Sequence, residues 1–387
     1  MQTVAINWHV YLLTKSALAL GLVGLFRGLP VILCSLAGGV VADAVDRKRL
    51  MIVTQTVMLV SAGLLTITTL GGIRSVWPIY ILSALASAAT AFDIPARQSL
   101  MPTLVPLEDF PNAVSLGMIV FNVATITGPA IAGVLLAESS PALIYAINAA
   151  SFVAVIGALL AMRASGSPEL QTARKDALSL TALKEGLAFV WRTPIMVQTM
   201  TLDFVATFFA SATLLLPIFA RERLHVGPHG YGLLAAAPAV GSVITAFIMA
   251  RLGTFQRQGR LVVWSVAVFG VATAAFGVST AFWLSLLMLA LTGAADTVST
   301  VLRQTIRQLV TPNHLRGRMT SINMMFFMGG PQLGELEAGL LAALIGAPLS
   351  VVVGGLGSTT AACVAAVKSK SLMEFEISDV ASEIKVQ

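Results

Sequence analysis

Arg27, Asp203, Asp296, Glu335 and Glu337 stand inside long apolar runs of this 387-residue chain. An ionised group in hydrocarbon costs several kcal/mol unless it is paired or wetted, so each of these positions is a candidate for function. A carboxylic acid in a low-dielectric cavity favours its protonated form, and it can exchange that proton when the cavity's access changes sides. Asp203, beside Phe204, Phe208 and Phe209, and Asp296 are the first candidates for such an acid. Glu335 ranks with Asp203. Glu337 lies about 200° around the same helical wheel and ranks below. Arg27 has the charge to hold an anionic group of a ligand. The plainer roles stay open beside these: carboxylates as structural hydrogen-bond partners, and Arg27 snorkelling to an interface.

The elements that must position these groups are membrane helices. Apolar residues make up 57% of the chain and charged ones 11%, against roughly 25% charged in an average globular protein. Spans of about 20 apolar residues cross a ~30 Å hydrocarbon layer. They read at 18–42, 50–72, 76–102, 112–137, 141–164, 195–220, 228–252, 260–279, 281–308, 317–344 and 348–368. Residues 1–14 form a short first segment, about 20 Å long as a helix, and make the total twelve. That segment reads as the tail of a helix begun upstream, with Trp8 and Tyr11 expected at the outer interface. Cys34 and Cys363 fall in separate spans and read as small buried hydrophobes.

Charge is distributed by side. Lys15, Arg74, Arg221 and Arg223 fall in loops on one face, and the other basic residues, Arg27 excepted, fall on the opposite face. This asymmetry places the Arg47-Lys48-Arg49 turn in the cytoplasm and accounts for the net charge of +6 without nucleic acid. The domains expected are an N-terminal bundle (1–164), a cytoplasmic linker with an interfacial helix (165–194), a C-terminal bundle (195–368) and a cytoplasmic tail (369–387). Leu180, Leu183, Leu187 and Trp191 set the apolar face of the linker helix.

Part of the chain repeats about two hundred residues on, as duplicated helical bundles do. Asp93, Arg97-Gln98, Pro106 and Gly128-Pro129 are answered by Asp296, Arg303-Gln304, Pro312 and Gly330-Pro331. Asp93 and Arg97, four apart, share a helix face and are expected, with Arg303, to build an ion network near the cytoplasmic mouth. Ala124, Gly128 and Ala132 give α-helical steps of small residues for close packing, continued by Gly133. The turn between the second and third spans reads Gly39-Val-Val-Ala-Asp43-Ala-Val-Asp46-Arg47-Lys48-Arg49.

That turn resembles the loop signature of the major facilitator superfamily, with Ala44 in place of a basic residue and Asp46 in place of glycine. The stretch from Asp93 to Asn112, and Glu335 within Gly-Pro-Gln-Leu-Gly-Glu-Leu, resemble the siderophore-exporter and drug-efflux branch. Gly128-Pro129 with Gly133 is similar to the antiporter motif of superfamily exporters, with Ala124 and Ala132 replacing glycines. The resemblance implies an all-α fold of two six-helix bundles related by a pseudo-twofold axis, set in a bacterial cytoplasmic membrane. It also implies a gating role for Gly39, Asp43, Asp46, Arg47, Lys48 and Arg49.

The expectation is a secondary carrier that exchanges protons for a siderophore-like or drug-like small molecule and acts as a monomer. A small-nutrient importer and a non-transporting sensor on the same fold remain open alternatives. No Gly is followed by Lys, so an ATP-cradling loop is absent. No His is followed by Glu, which excludes the common zinc-protease motif. Neither a cofactor, a metal nor covalent catalysis is expected.

Overall fold

The computed structural model describes residues 1–106, 108–162, 188–253, 255–312 and 316–375; the side chains of 36–37, 39–40, 42–44, 212, 316–318 and 320–329 lie outside the description. The described residues form long helices joined by short turns. They are α1 (Gln2–Thr14), α2 (Ala17–Ala44), α3 (Arg47–Leu70), α4 (Trp77–Leu100), α5 (Phe110–Glu138) and α6 (Pro141–Ala161). After the connector come α7 (Pro194–Phe209), α8 (Gly227–Leu252), α9 (Gln258–Val278), α10 (Phe282–Val310), α11 (Arg316–Ile345) and α12 (Ala347–Lys368). Among the described residues ten helices are long and apolar enough to cross a membrane, α7 counting with its continuation to Arg223. The connector through residue 187 and most of the tail expected from sequence lie outside the described residues; the connector's last turn is helical, with Trp191 exposed.

Local chemistry sets the helix ends. The Ser16 hydroxyl accepts from the Ala19 amide and opens α2, and the Asp46 carboxylate accepts from the Arg49 amide at 2.9 Å and opens α3. Prolines sit in the first turn of α4, α5, α6, α7 and α12, where no intrahelical N–H is lost. Lys15 closes α1 in the left-handed conformation at φ 50°. Internal prolines occur at Pro30, Pro95, Pro129, Pro238 and Pro331 without ending their helices. Membrane helices accommodate such breaks because neighbouring groups satisfy the freed carbonyls.

The outward faces are apolar, as lipid requires: Leu344, Trp283 and Val367 are each more than three-quarters exposed. Cys363 belongs to this face and is exposed, and Cys34 is half-buried, so neither thiol is sealed in a core as expected. With lipid as the solvent, an apolar thiol gains little from burial inside the protein.

The chain divides into two compact units. One is Met1–Thr172 with Leu214–Ala236, the other Ala173–Thr213 with Ala237–Gln387. The excursion of Leu214–Ala236 into the first unit has a local cause. Gly133 of α5 and Gly232 of α8 meet backbone to backbone, and a Cβ on Gly133 would stand 2.7 Å from the Gly232 Cα. The Tyr231 hydroxyl donates to the Val4 carbonyl at 3.1 Å, and its ring stacks on Trp8 with centroids 5.2 Å apart. The Tyr11 hydroxyl donates to the Glu222 carboxylate. Trp8 and Tyr11 are therefore buried against protein: Trp8 is 4% and Tyr11 1% exposed. The Tyr11 hydroxyl has an acceptor in Glu222 and the Trp8 ring a stacking partner in Tyr231, so both rings are held by protein.

Candidate functional site

Each unit contains a cluster of ionised side chains within its helices. In the first, Asp93 on α4 is buried and its carboxylate accepts three hydrogen bonds. They come from Thr54 Oγ1 at 3.0 Å, Gln55 Nε2 at 2.9 Å and Arg97 Nη2 at 2.8 Å. Thr54 and Gln55 belong to α3, so Asp93 braces α3 against α4. Arg97 itself is 61% exposed. The turn between α2 and α3 is held to the same end of the unit. Arg47 Nη1 donates to the Ser99 carbonyl at 3.2 Å and Lys48 Nζ to the Met162 carbonyl at 2.5 Å. Arg49 is exposed. Asp46, where the resembled signature has glycine, is the cap of α3. The side chains of Gly39 and Asp43 lie outside the described residues.

The second cluster joins α7 to α10. Arg303 Nη1 meets Asp203 Oδ1 at 2.5 Å, with the two side chains only 11% and 15% exposed. Arg303 Nη2 donates to Thr300 Oγ1 at 3.0 Å. Asp296 lies one turn before Thr300 on α10, close enough to feel the charges of both Arg303 and Asp203. Asp203, Arg303 and Thr300 thus form one bonded network, with the second acid, Asp296, beside it on α10. Its local charge changes by a unit when a single proton is gained or lost. A small cavity adjoins it, lined by Thr199, Met200, Thr300, Arg303, Gln304 and Arg307 among others.

The neighbouring helices are fitted to α7 by glycine. A Cβ on Gly334 of α11 would lie 2.6 Å from Ser211 Oγ, and one on Gly330 would lie 2.8 Å from Thr207 Oγ1. Ser211 also donates to the Pro331 carbonyl at 3.1 Å. The second Gly-Pro stretch is therefore the surface on which α7 packs, as small-residue faces do in lipid. Glu335, half-buried beside Gly334, lies on α11 next to this contact. In the first unit Gly128 and Ala132 are buried on α5, whereas Ala124 is exposed, so the smooth face is shorter than its spacing suggests. Pro129 lends its carbonyl to the close approach at Gly232.

Arg27 is half-buried on α2, and among the described residues it makes no ion pair or hydrogen bond that would fix it. The adjacent Phe26 stacks on Tyr80 at 5.0 Å and meets Trp77 edge-on at 6.0 Å, at the start of α4. Met324, Met325, Phe326, Phe327 and Met328, a soft apolar run, have side chains outside the description. Of the expected network of Asp93, Arg97 and Arg303, Arg97 pairs with Asp93 in the first unit and Arg303 with Asp203 in the second. Sequence reasoning missed Thr300 and Arg307. The four-residue step from Arg303 to Arg307, on one helix face, was the available signal.

Among the described residues no cluster of three or more His, Cys, Asp or Glu could hold a metal ion.

The chain, helical throughout its regular described elements and with an acid–guanidinium pair inside its apolar spans, is a membrane transporter of the major facilitator superfamily. It belongs to the transmembrane secretion effector family, whose model matches residues 1–387. It is 26% identical over 348 residues to the multidrug efflux pump Tap of Mycolicibacterium fortuitum, covering 88% of this chain and 84% of that one. It is 25% identical over 354 residues to the enterobactin exporter EntS of Citrobacter koseri, covering 92% and 84%. Among solved structures, a POT family transporter in complex with 5-aminolevulinic acid aligns with TM-score 0.75 at 10% identity, covering 96% of this chain and 93% of that one. The nucleoside transporter NupG aligns with TM-score 0.68 at 15% identity, covering 97% and 95%. At these identities the structural matches speak for the fold.

Proposed function

We propose that this chain is a proton-coupled exporter that moves a siderophore-like or drug-like organic molecule out of a bacterial cytoplasm by alternating access. The observation that carries the reading is the Asp203–Arg303–Thr300 network, with Asp296 beside it, set within apolar helices of the second unit. Such a network costs free energy to bury, and the two acids against one base leave a carboxylate free to bind a proton. The relatives named above are an efflux pump and a siderophore exporter, which favours export over import.

In this reading, protonation of Asp203 or Asp296 from the outer side loosens Arg303 and favours the state open to the cytoplasm. Release of the proton inward restores the pair and drives the loaded carrier outward. Arg27, in the first unit, is the counterpart for an acidic group of the cargo, and Glu335 is a further proton carrier. The turn from Gly39 to Arg49, capped at Asp46 and flanked by the Asp93–Arg97 brace, forms the cytoplasmic gate. One chain suffices, since it carries both halves.

Everted membrane vesicles with an imposed proton gradient test this. Wild-type protein is expected to accumulate a fluorescent efflux substrate in the vesicle lumen, and Asp203→Asn and Asp296→Asn are expected to abolish accumulation. Full proton-driven accumulation in Asp203→Asn, Asp296→Asn and Glu335→Gln alike would overturn the coupling assignment.

A further inference from the structure

We infer that the cavity between α7 and α10 binds an acidic head group, with Arg307 as its anchor. The inference starts from how the two arginines are used. Arg303 is committed: Nη1 to Asp203 and Nη2 to Thr300. Arg307 sits one turn further along α10 and lines the same cavity. Its Nη1 is buried with no hydrogen-bond partner among the described residues. A buried guanidinium nitrogen without an acceptor is expensive, and native structures rarely leave one so.

The nearest acids of the network do not supply that acceptor. Asp203 is taken by Arg303. Asp296 is eleven residues back along α10, about 16 Å of helical rise. Among the described cavity residues Thr199, Thr300 and Gln304 are neutral, and Thr199 already donates to the Ile195 and Met196 carbonyls. The cavity lining therefore holds no acid, and the Arg307 guanidinium and the Gln304 amide are left as donors.

Its size limits the occupant. About 30 Å³ is open inside it, room for one or two waters or for the oxygens of one small acid group. A whole organic molecule does not fit, but a carboxylate, phosphate or sulfate group does, the rest of the ligand extending out of the open side. A guanidinium binds such oxygens with paired, charge-assisted hydrogen bonds. The source is either an acidic cytosolic solute or an anionic lipid headgroup, and the chemistry at Arg307 is shared. That the solute is cargo rests on the transport reading above; the binding itself does not.

The test is calorimetric titration of the purified full chain with sodium sulfate and with inorganic phosphate, at ionic strength held constant with sodium chloride, in nanodiscs of phosphatidylcholine. Saturable binding is expected, weakened at least tenfold in Arg307→Gln and kept within a few-fold in Arg307→Lys. Asp203→Asn, which frees Arg303, is expected to tighten it. Should Arg307→Gln not fold, Gln304→Ala is expected to weaken binding by a smaller factor. Absence of saturable binding in the wild type, or unchanged affinity in Arg307→Gln or Gln304→Ala, overturns the proposal. Adding phosphatidylglycerol to the discs separates the sources: loss of sulfate binding assigns the site to a headgroup, and its persistence to a soluble acid. Binding is read without flux, so anion binding in a chain that moves no proton-linked solute would sink the transport reading and spare the site.

Discussion

Asp93–Arg97 and Asp296–Arg303 answer one another in the sequence, yet their partners differ. In the first unit the acid and base are four apart on α4 and pair with each other, and Thr54 and Gln55 fill the remaining acceptor sites. In the second they are seven apart, and Arg303 turns instead to Asp203 on another helix. A carboxylate with three donors is a fastener. Two carboxylates competing for one guanidinium can be switched by a proton. The difference teaches that a three-residue change in acid–base spacing turns the arginine from its own helix to a neighbouring one.

The comparison breaks most sharply at Arg303. Arg303→Gln strands a buried Asp203, a loss of roughly 3–5 kcal/mol for an uncompensated charge. We expect proton-driven efflux to vanish and detergent stability to fall, with stability largely recovered in Asp203→Asn/Arg303→Gln while efflux stays lost. Recovery of efflux in the double variant would make the pair a fastener like its first-half counterpart. Next comes Asp93→Ala, which leaves three donors without their acceptor. It should cost about 1–3 kcal/mol in a thermal-melt assay and lower transport only in proportion to folded protein. A loss of coupling at full stability would show that Asp93 also switches.

Smaller effects test the surroundings. Asp46→Ala removes the cap of α3 and should cost about 1 kcal/mol; Asp46→Asn and Asp46→Ser should restore most of it in the same melt. Arg97→Gln, at a largely exposed position, should cost no more than about 0.5 kcal/mol and leave efflux near wild type. A large loss of efflux there would move Arg97 from brace to gate.

Much of the fold was legible because membrane helices declare themselves. Apolar runs, Pro at first turns and Asp or Ser at caps set the ends of α2 to α12 within a few residues, except that α7 ends at Phe209 where the sequence had the span run to 220. The site was legible only as a set of positions. Asp203 and Arg303 were each marked by the cost of charge in lipid, but they lie one hundred residues apart, and nothing in their spacing says that α7 faces α10. Asp46 read as a departure from a signature when it is a cap, although an acid just ahead of Arg47 at a helix start carries that signal. Trp8 and Tyr11 were assigned to the interface because amphipathic rings often settle there. Their burial depends on Tyr231 and Glu222, more than two hundred residues on. The return of Leu214–Ala236 to the first unit likewise rests on Gly232, one glycine among 32.

The stacking of Trp8 on Tyr231 gives the molecule a built-in optical reporter. Trp77, Trp191, Trp264 and Trp283 are all more than half exposed, and of the five indoles Trp8 alone is enclosed. With the other four replaced by Phe, its emission maximum and quenching would follow the parting of α1 from α8 in real time. No dye or label would be needed.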